Sequence, residues 1–347
     1  MAVIEYEGAT FHCSDSENLL SELIRQGADI LFSCRNGICQ SCMLKYKGGA
    51  PIPELATAGL KETWRNEGYF LPCLCPVPGD LTISRISNPG IIQRAVVVDK
   101  TFLATGICAI RLDTEKSFEY HSGQFINVRR VNTGLIRSYS LASVPSLDSS
   151  LEIHVKRLEN GVMSNWMCDE VASGEVVQLI GPHGASYYLP GRPSQRMLLV
   201  ATGTGLAPLC GIVRSALAAG HAGRIDLYHG SRHSEGLYLC NELREMVSRY
   251  NNFHYHPCVS GSTTREGHRH GRADDTAFAE NADLTGVRVF LCGAPPMVQS
   301  AKRLAYLAGA SLADIFADPF ELRDLRSKTR TDPDPGKIGL PQKALTV

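Results

Sequence analysis

The 347-residue sequence has no apolar run long enough to cross a bilayer. Its longest, Met197 to Val213, is broken by Gly203, Gly205 and Pro208 and is shorter than the roughly 20 residues a spanning helix needs. No charge of one sign dominates, because 35 Lys and Arg balance 35 Asp and Glu. That balance argues against a nucleic-acid partner held by a basic surface. The first ten residues, MAVIEYEGAT, carry glutamates where a signal peptide would carry basic residues ahead of an apolar core. The expected location is the cytoplasm, with no membrane partner. No segment repeats. Charged residues are only 20% against 44% hydrophobic, which excludes global disorder. At roughly 150 residues per domain, two or three domains are expected.

What the chain does have is cysteine, 12 in all. In a reducing compartment these are not expected to form disulfides. Cys108, Cys168, Cys210, Cys240 and Cys258 stand singly among apolar residues and read as small buried hydrophobes. The N-terminal group reads differently. Cys34, Cys39 and Cys42 follow the spacing C-x4-C-x2-C, with Cys73 further on, which is the plant-type pattern for a [2Fe–2S] cluster. Structural zinc prefers two short C-x2-C knuckles, and only one is present. Gly37 suits a loop whose backbone approaches the cluster, and Cys75 reads as a bystander.

Around these cysteines, alternation in Val3–Glu7 and Ala9–Cys13 predicts a strand pair turning at Gly8. Ser14 and Glu17 suggest a capping box for a helix carrying Leu19, Leu20, Leu23 and Ile24 and stopped by Gly27. A strand at Met43–Tyr46, a helix over 59–67 and a strand over 81–86 follow. The turn cluster Ser87-Asn88-Pro89-Gly90 marks the first boundary. From Gln93 to about Gly191 the pattern is strand-rich, clearest in Leu151–Val155, with a strand at Val176–Ile180 and a short helix over 164–171. After Gly191-Arg192-Pro193 strands alternate with helices. Strands are predicted at 197–201, 225–228, 253–259 and 287–291, and helices over 206–219, 236–250 and 296–308. That rhythm argues for βαβ units around a parallel sheet.

Three motifs carry chemistry here. Arg137, Tyr139 and Ser140 form an R-x-Y-S run, in which a guanidinium suits a pyrophosphate, a phenol ring suits a flavin face and a hydroxyl suits the ring's N5 edge. Gly161-Val-Met-Ser164 precedes the short predicted helix, a position suited to phosphate. Gly203-Thr204-Gly205-Leu-Ala-Pro208 joins a strand to a helix, as a dinucleotide loop does, although Pro208 replaces the third glycine of the Rossmann fingerprint. Cys292, Gly293 and the prolines after them again join strand to helix at the carboxyl end of the sheet. Arg232 follows the second strand of that sheet and by charge suits a 2′-phosphate. His268 and His270 read as a polar loop, His254 and His256 as an exposed strand face, and Arg323 to Arg330 as a solvated stretch.

In this order the motifs resemble the reductase component of bacterial multicomponent oxygenases, a plant-type ferredoxin fused to a ferredoxin–NADP reductase-like flavoprotein. The resemblance covers residues 1 to about 320. It implies a multidomain α+β and α/β fold. A β-grasp ferredoxin domain would occupy 1–88, an antiparallel β-barrel FAD domain 93–191 and a parallel-sheet nucleotide domain 195–320. Residues 321–347, rich in charge and proline and without periodicity, read as a mobile tail longer than the resemblance predicts. Arg137, Tyr139 and Ser140 would contact FAD, helped by His154, Lys156, Gly161 and Ser164. Gly203, Thr204, Gly205, Pro208, Cys292 and Gly293 would hold the pyridine nucleotide, with Arg232 at its far end. Phe320, closing a D-x-F-like run, would cover the flavin. Cys292, Ser140 and Phe320 would line the reacting centre, and Cys34, Cys39, Cys42 and Cys73 would hold the cluster. Relatives often carry glycine at the position of Gln40, a departure that leaves the four ligands intact.

The resemblance therefore implies an NAD(P)H-dependent oxidoreductase passing electrons through FAD and [2Fe–2S] to an oxygenase component or a separate ferredoxin. NADH is the expected donor, with NADPH the alternative. The other acceptor considered is a non-oxygenase enzyme such as a deoxysugar dehydratase. A flavin and cluster redox sensor would need an effector domain, for which only the tail remains.

Overall fold

The computed structural model describes residues 1–320 apart from 15, 16, 31, 33, 34, 38, 39, 61, 87–91 and 262–265. Two compact units are present, one over residues 1–87 and one over residues 88–322. Among the described residues no helix is long and apolar enough to cross a membrane.

The first unit contains β1 (Ala2–Tyr6), β2 (Ala9–Cys13), α1 (Leu19–Arg25), β3 (Leu44–Gly49), α2 (Glu62–Asn66), β4 (Tyr69–Phe70) and β5 (Leu81–Ser84). Gly8 turns β1 into β2 with φ +80°, a conformation glycine adopts without steric cost. The sheet runs β2-β1-β5-β3-β4, with β1 and β5 parallel at its centre and the other pairs antiparallel. Leu19, Leu20, Leu23 and Ile24 are buried along α1, as their spacing predicts. The predicted capping box does not form. Asn18, held extended by a bridge to Pro76, caps the helix by accepting from Ser21 N at 2.9 Å, while Ser14 bonds to the buried Glu22.

The second unit begins with β6 (Ile92–Ala104), β7 (Ile107–Thr114), β8 (Phe125–Arg130), β9 (Ile136–Ser140) and β10 (Leu151–Lys156). There follow α3 (Val162–Asn165), a wide π-type turn at Trp166–Glu170 and β11 (Val176–His183). These strands form an antiparallel sheet in the order β10-β7-β6-β11-β8-β9. A bridge from Leu141 to Ile153 joins its two ends and closes a barrel. β11 continues past the predicted stop at Gly181-Pro182, with a register shift between Ile180 and His183.

The rest of this unit comprises β12 (Met197–Thr202), α4 (Leu206–Ala218), β13 (Ile225–Ser231), α5 (Cys240–Arg249), β14 (Phe253–Val259) and β15 (Arg269–His270). It continues with α6 (Ala273–Glu280), β16 (Arg288–Gly293), α7 (Pro295–Leu307) and β17 (Ile315–Pro319). The parallel sheet has the order β15-β14-β13-β12-β16-β17. Alternate residues of β12 enter opposite cores. Met197, Leu199 and Ala201 pack with α4 and α5, whereas Leu198 and Val200 pack with α6 and α7. Two readings are corrected here, and one helix was not anticipated. His270 lies on an edge strand paired to β14 rather than in a loop. His256 is not on an exposed face but stacks on Tyr228 and bonds to the buried Asp226 at 3.1 Å. Helix α6 has no sequence signal, because only Ala273, Asp274 and Ala277 of it are buried and no apolar stripe results.

Candidate active site

Two of the four predicted cluster ligands, Cys34 and Cys39, lie outside the described residues. The other two are buried thiols, Cys42 at 3% exposure and Cys73 at 6%. The turn carrying Cys73 is docked on the start of α1, where Leu19 N donates to Cys75 O and Leu20 N to Pro72 O. Gly37 lies against this turn with φ +77°, and a Cβ there would stand 2.4 Å from Leu74 Cδ1. The loop and the Cys73 turn thus pack closely at Gly37, where a side chain would have to displace Leu74, and the sulfur donors suit an iron–sulfur group. Gln40 also takes a left-handed φ of +54°, which glycine would adopt more cheaply. Its buried side chain donates from Nε2 to Gly59 O at 2.9 Å. Cys75 is fully buried, and burial pushes its thiol up to about 12.

A second constellation forms in the larger unit, at the carboxyl ends of the parallel strands. Here Gly205 abuts the Cys292-Gly293 loop so closely that a Cβ would lie 2.3 Å from Cys292 O. Gly293, at φ +127°, would put a Cβ 2.4 Å from Thr202 Oγ1, which accepts from Ala294 N at 3.0 Å. Phe320 N donates to Gly293 O at 2.7 Å, fastening the end of β17 to the same loop. Register pairs Cys292 with Asp318, and the barrel brings Ser140 to them, its Oγ 3.4 Å from Asp318 Oδ2. Burial pushes the Asp318 carboxyl up to about 6, although Ser140 pulls the other way. The Cys292 thiol is raised well above its ordinary value by burial and by Asp318.

The barrel meets the parallel-sheet part through small residues. A Cβ on Gly123 would lie 2.7 Å from Ile212 Cδ1 of α4, and one on Gly211 would lie 3.0 Å from Ala142 O. Arg214 of α4 grips Asp148 with two bonds of 2.9 and 2.7 Å. His154 Nδ1 lies 3.0 Å from Tyr238 Oη and its Nε2 lies 3.1 Å from Glu152 Oε1. Burial would raise the Glu152 carboxyl, but His154 and Arg111 outweigh it and hold it down to about 2.

The remaining predicted residues are distributed as follows. Tyr139 packs on the barrel core, and burial raises its phenol. Arg137 donates from Nη1 to Ile136 O at 2.7 Å. Exposed Lys156 has its Nζ 4.0 Å from where a Gly203 Cβ would stand, so it reaches the loop between β12 and α4. Ser164 Oγ donates to Gly161 O and accepts from Leu158 N, making a tight turn in which a Gly161 Cβ would lie 2.2 Å from Ser164 Oγ. Thr204 lies in the turn before α4, and Pro208 is buried in its first turn. Arg232 is exposed just past β13. Asp318 opens the D-x-F-like run, and β16–β17 register sets it beside Cys292. Two contributors carried no sequence signal of their own. Tyr238 meets His154 from 84 residues away. His229, fully buried beside Tyr238 and Tyr255, is held down to about 3 by burial and is neutral.

Family models match the chain in three consecutive stretches. A 2Fe-2S iron-sulfur cluster binding domain matches residues 3–78, an oxidoreductase FAD-binding domain residues 94–188 and an oxidoreductase NAD-binding domain residues 199–303. The chain is 30% identical over 313 residues to the ferredoxin–NAD(P)(+) reductase component of the naphthalene 1,2-dioxygenase system of Pseudomonas putida, covering 88% of this chain and 94% of that one. It is 27% identical to the reductase component of phenol 2-monooxygenase from Pseudomonas sp., covering 91% and 93%. Among solved structures, the Amycolatopsis cytochrome P450 reductase GcoB superposes with a TM-score of 0.68 at 26% identity, covering 92% of this chain and 99% of that one. The ferredoxin reductase of carbazole 1,9a-dioxygenase has a TM-score of 0.63 at 21% identity over 92% and 98%, a likeness of fold. With three cofactor modules in one order and a relative of this identity matched along nearly its whole length, the chain belongs to the family of iron–sulfur flavoprotein reductase components of oxygenase systems, NAD(P)H-dependent oxidoreductases that use FAD and a [2Fe–2S] cluster.

Proposed function

We propose that residues 1–88, 93–191 and 195–320 act as cluster, flavin and nucleotide modules of a cytoplasmic reductase serving an oxygenase component or a separate ferredoxin. The observation that carries the site is the meeting of Ser140, Cys292 and Asp318 from distant strands at the carboxyl end of the parallel sheet. When bound, FAD and the [2Fe–2S] cluster turn the electron pair of NAD(P)H into single electrons. The protein's own residues bind, orient and manage protons. Arg137 and the Gly161–Ser164 turn suit the pyrophosphate of FAD, Tyr139 presents a ring to it, and Ser140 presents a hydroxyl. His154, through Tyr238, sets the distance between barrel and nucleotide sheet, and Lys156 reaches the phosphate loop from the barrel side. Gly203, Thr204, Gly205, Pro208 and Gly293 leave the backbone bare where a dinucleotide must approach.

With its carboxyl pushed up to about 6, Asp318 is suited to take up and release a proton just below neutral pH, with Ser140 Oγ as its hydrogen-bond partner. Phe320, tethered to Gly293, stands at the exit of β17 as a gate over the crevice, and Cys292 closes its floor. Cys34, Cys39, Cys42 and Cys73 are the cluster ligands in this reading. NADH is the donor we favour. Arg232 is the residue that would admit NADPH, and parallel titrations of the two nucleotides separate them. The site is tested with Ser140→Ala in FAD-loaded protein. Its NADH-driven reduction of a two-electron quinone dye should fall about 10- to 100-fold with flavin absorbance unchanged. Full turnover in that variant overturns the assignment.

A further inference from the structure

The barrel core holds a pair of thiols that the crevice does not use. Cys108 of β7 and Cys168 of the turn after α3 are 60 positions apart, yet their Sγ atoms lie 3.0 Å from each other. Both are buried, at 0% and 1% exposure. Far from being single cysteines among hydrophobes, they are partners. Local geometry explains the meeting. Along β7, Cys108, Ile110 and Leu112 face the barrel core. The turn at Trp166–Glu170 closes with a bond from Val171 N to Trp166 O at 2.8 Å, one residue wider than an α-turn, and presents Trp166, Met167 and Cys168 to the same core. The separation exceeds a disulfide bond by only about 1 Å, within reach of a small side-chain rotation.

We propose that Cys108 and Cys168 are an oxidisable dithiol, closed to a disulfide by a hydroperoxide. The thiolate of Cys168 attacks one peroxide oxygen, the O–O bond breaks, and a sulfenic acid forms as hydroxide leaves. Cys108 then attacks the sulfenyl sulfur, the S–S bond forms, and the S–O oxygen departs as water once protonated. Two thiols lose two electrons and two protons, and hydrogen peroxide becomes two waters. Either sulfur can carry the shared hydrogen, and Lys100 and Arg157 favour the thiolate at Cys168 against burial and Asp169. Burial makes the reaction slower than at a surface thiol, and the sulfur partner at 3.0 Å directs the sulfenic acid to a disulfide rather than to further oxidation.

The bond would close a loop containing Arg137, Tyr139, Ser140, Lys156 and Ser164, and Tyr139 packs on the same core as both thiols. Oxidation thus staples the segment proposed for flavin, while the proposal itself goes beyond the electron-transfer reading and does not depend on it. The test exposes full-length protein with its cofactors to hydrogen peroxide, alkylates the remaining thiols under denaturing conditions and maps peptides without reduction. A Cys108–Cys168 linked peptide, lighter than the two thiol peptides by two hydrogens, is expected. So is a rise in Tm on the order of 5–10 °C that a reductant reverses. Cys108→Ala and Cys168→Ala should each lose the linked peptide and the Tm rise. If a variant does not fold, the wild-type map alone decides. Recovery of both cysteines alkylated, at a dose that oxidises the less buried Cys240, overturns the proposal. So does finding them oxidised separately to sulfinic acids.

Discussion

The cluster loop and the crevice are built by opposite strategies. In the first unit, three of the cysteines proposed for the cluster lie within nine residues, and Gly37 and Gln40 between them take left-handed backbone conformations. In the second unit, Ser140 and Asp318 are 178 positions apart, and nothing local in either strand anticipates their meeting. Both places are nevertheless held by missing side chains. Gly37 yields to Leu74 in one, and Gly205 and Gly293 yield to backbone in the other. The difference is what a Cβ would strike. At Gly37 it meets the end of a flexible leucine, whereas at Gly205 it meets a peptide carbonyl that cannot swing away. A local site therefore tolerates change through side chains, and an assembled site is rigid because its parts are backbone.

The largest effect expected on this contrast comes from Cys73→Ser. It should abolish the cluster's visible absorption and cut electron delivery to cytochrome c by on the order of 100-fold. NADH-driven quinone-dye reduction should be nearly intact, and its loss in folded, FAD-loaded protein would break the separation of the two regions. Next comes Gly205→Val, whose Cβ stands 2.3 Å from Cys292 O. It should raise KM for NADH about 10-fold or more and cost roughly 1–3 kcal/mol in denaturant melts. Cluster absorption should be unchanged. Wild-type NADH kinetics would show that the close approach is dispensable.

A smaller effect is expected from Asp318→Asn. The folded carboxyl titrates at about 6, against about 4 when unfolded, so folding favours its neutral form. Its contribution is complete below pH 4 and is lost as pH rises through 6, amounting to at most about 2 kcal/mol because the residue is only partly buried. Melting curves from pH 4.5 to 7.5 should therefore decline less steeply for Asp318→Asn than for wild type, and parallel curves would refute the assignment. The smallest effect belongs to Gln40→Gly. Relief of the left-handed backbone gains about 1–2 kcal/mol, and loss of the bond to Gly59 O costs about 0.5–1.5 kcal/mol. The melting of the cluster unit should move by no more than a few degrees. A large destabilisation would mean that the Gln40 bond, rather than the glycine turn, holds the loop.

Much was legible before any coordinates. The cysteine spacing, the R-x-Y-S run and the strand–loop–helix setting of Gly203 to Pro208 are contiguous, and contiguous groups are fixed by local backbone geometry. The buried faces of α1 and β10 followed from periodicity for the same reason, since 3.6- and 2-residue repeats decide which side chains share a face. Signals failed where a second element intervened. Ser14 and Glu17 have the composition of a capping box, but the bridge from Asn18 to Pro76 moves the helix start. The parallel-sheet rhythm was clear while α6 was not, because so little of that helix is buried.

By itself, then, the amino-acid sequence determined the order of three cofactor modules, and it singled out the cysteines proposed for the cluster and the loops proposed for the nucleotide. Each depends on residues within one turn or loop. Only the tertiary structure decided that Asp318 lies beside Ser140 and Cys292, that His154 finds Tyr238, and that Cys108 faces Cys168. Those pairings depend on strand register, barrel closure and the burial that shifts the carboxyl and thiol equilibria. Such properties arise when distant segments exclude water together, so no short window of residues encodes them.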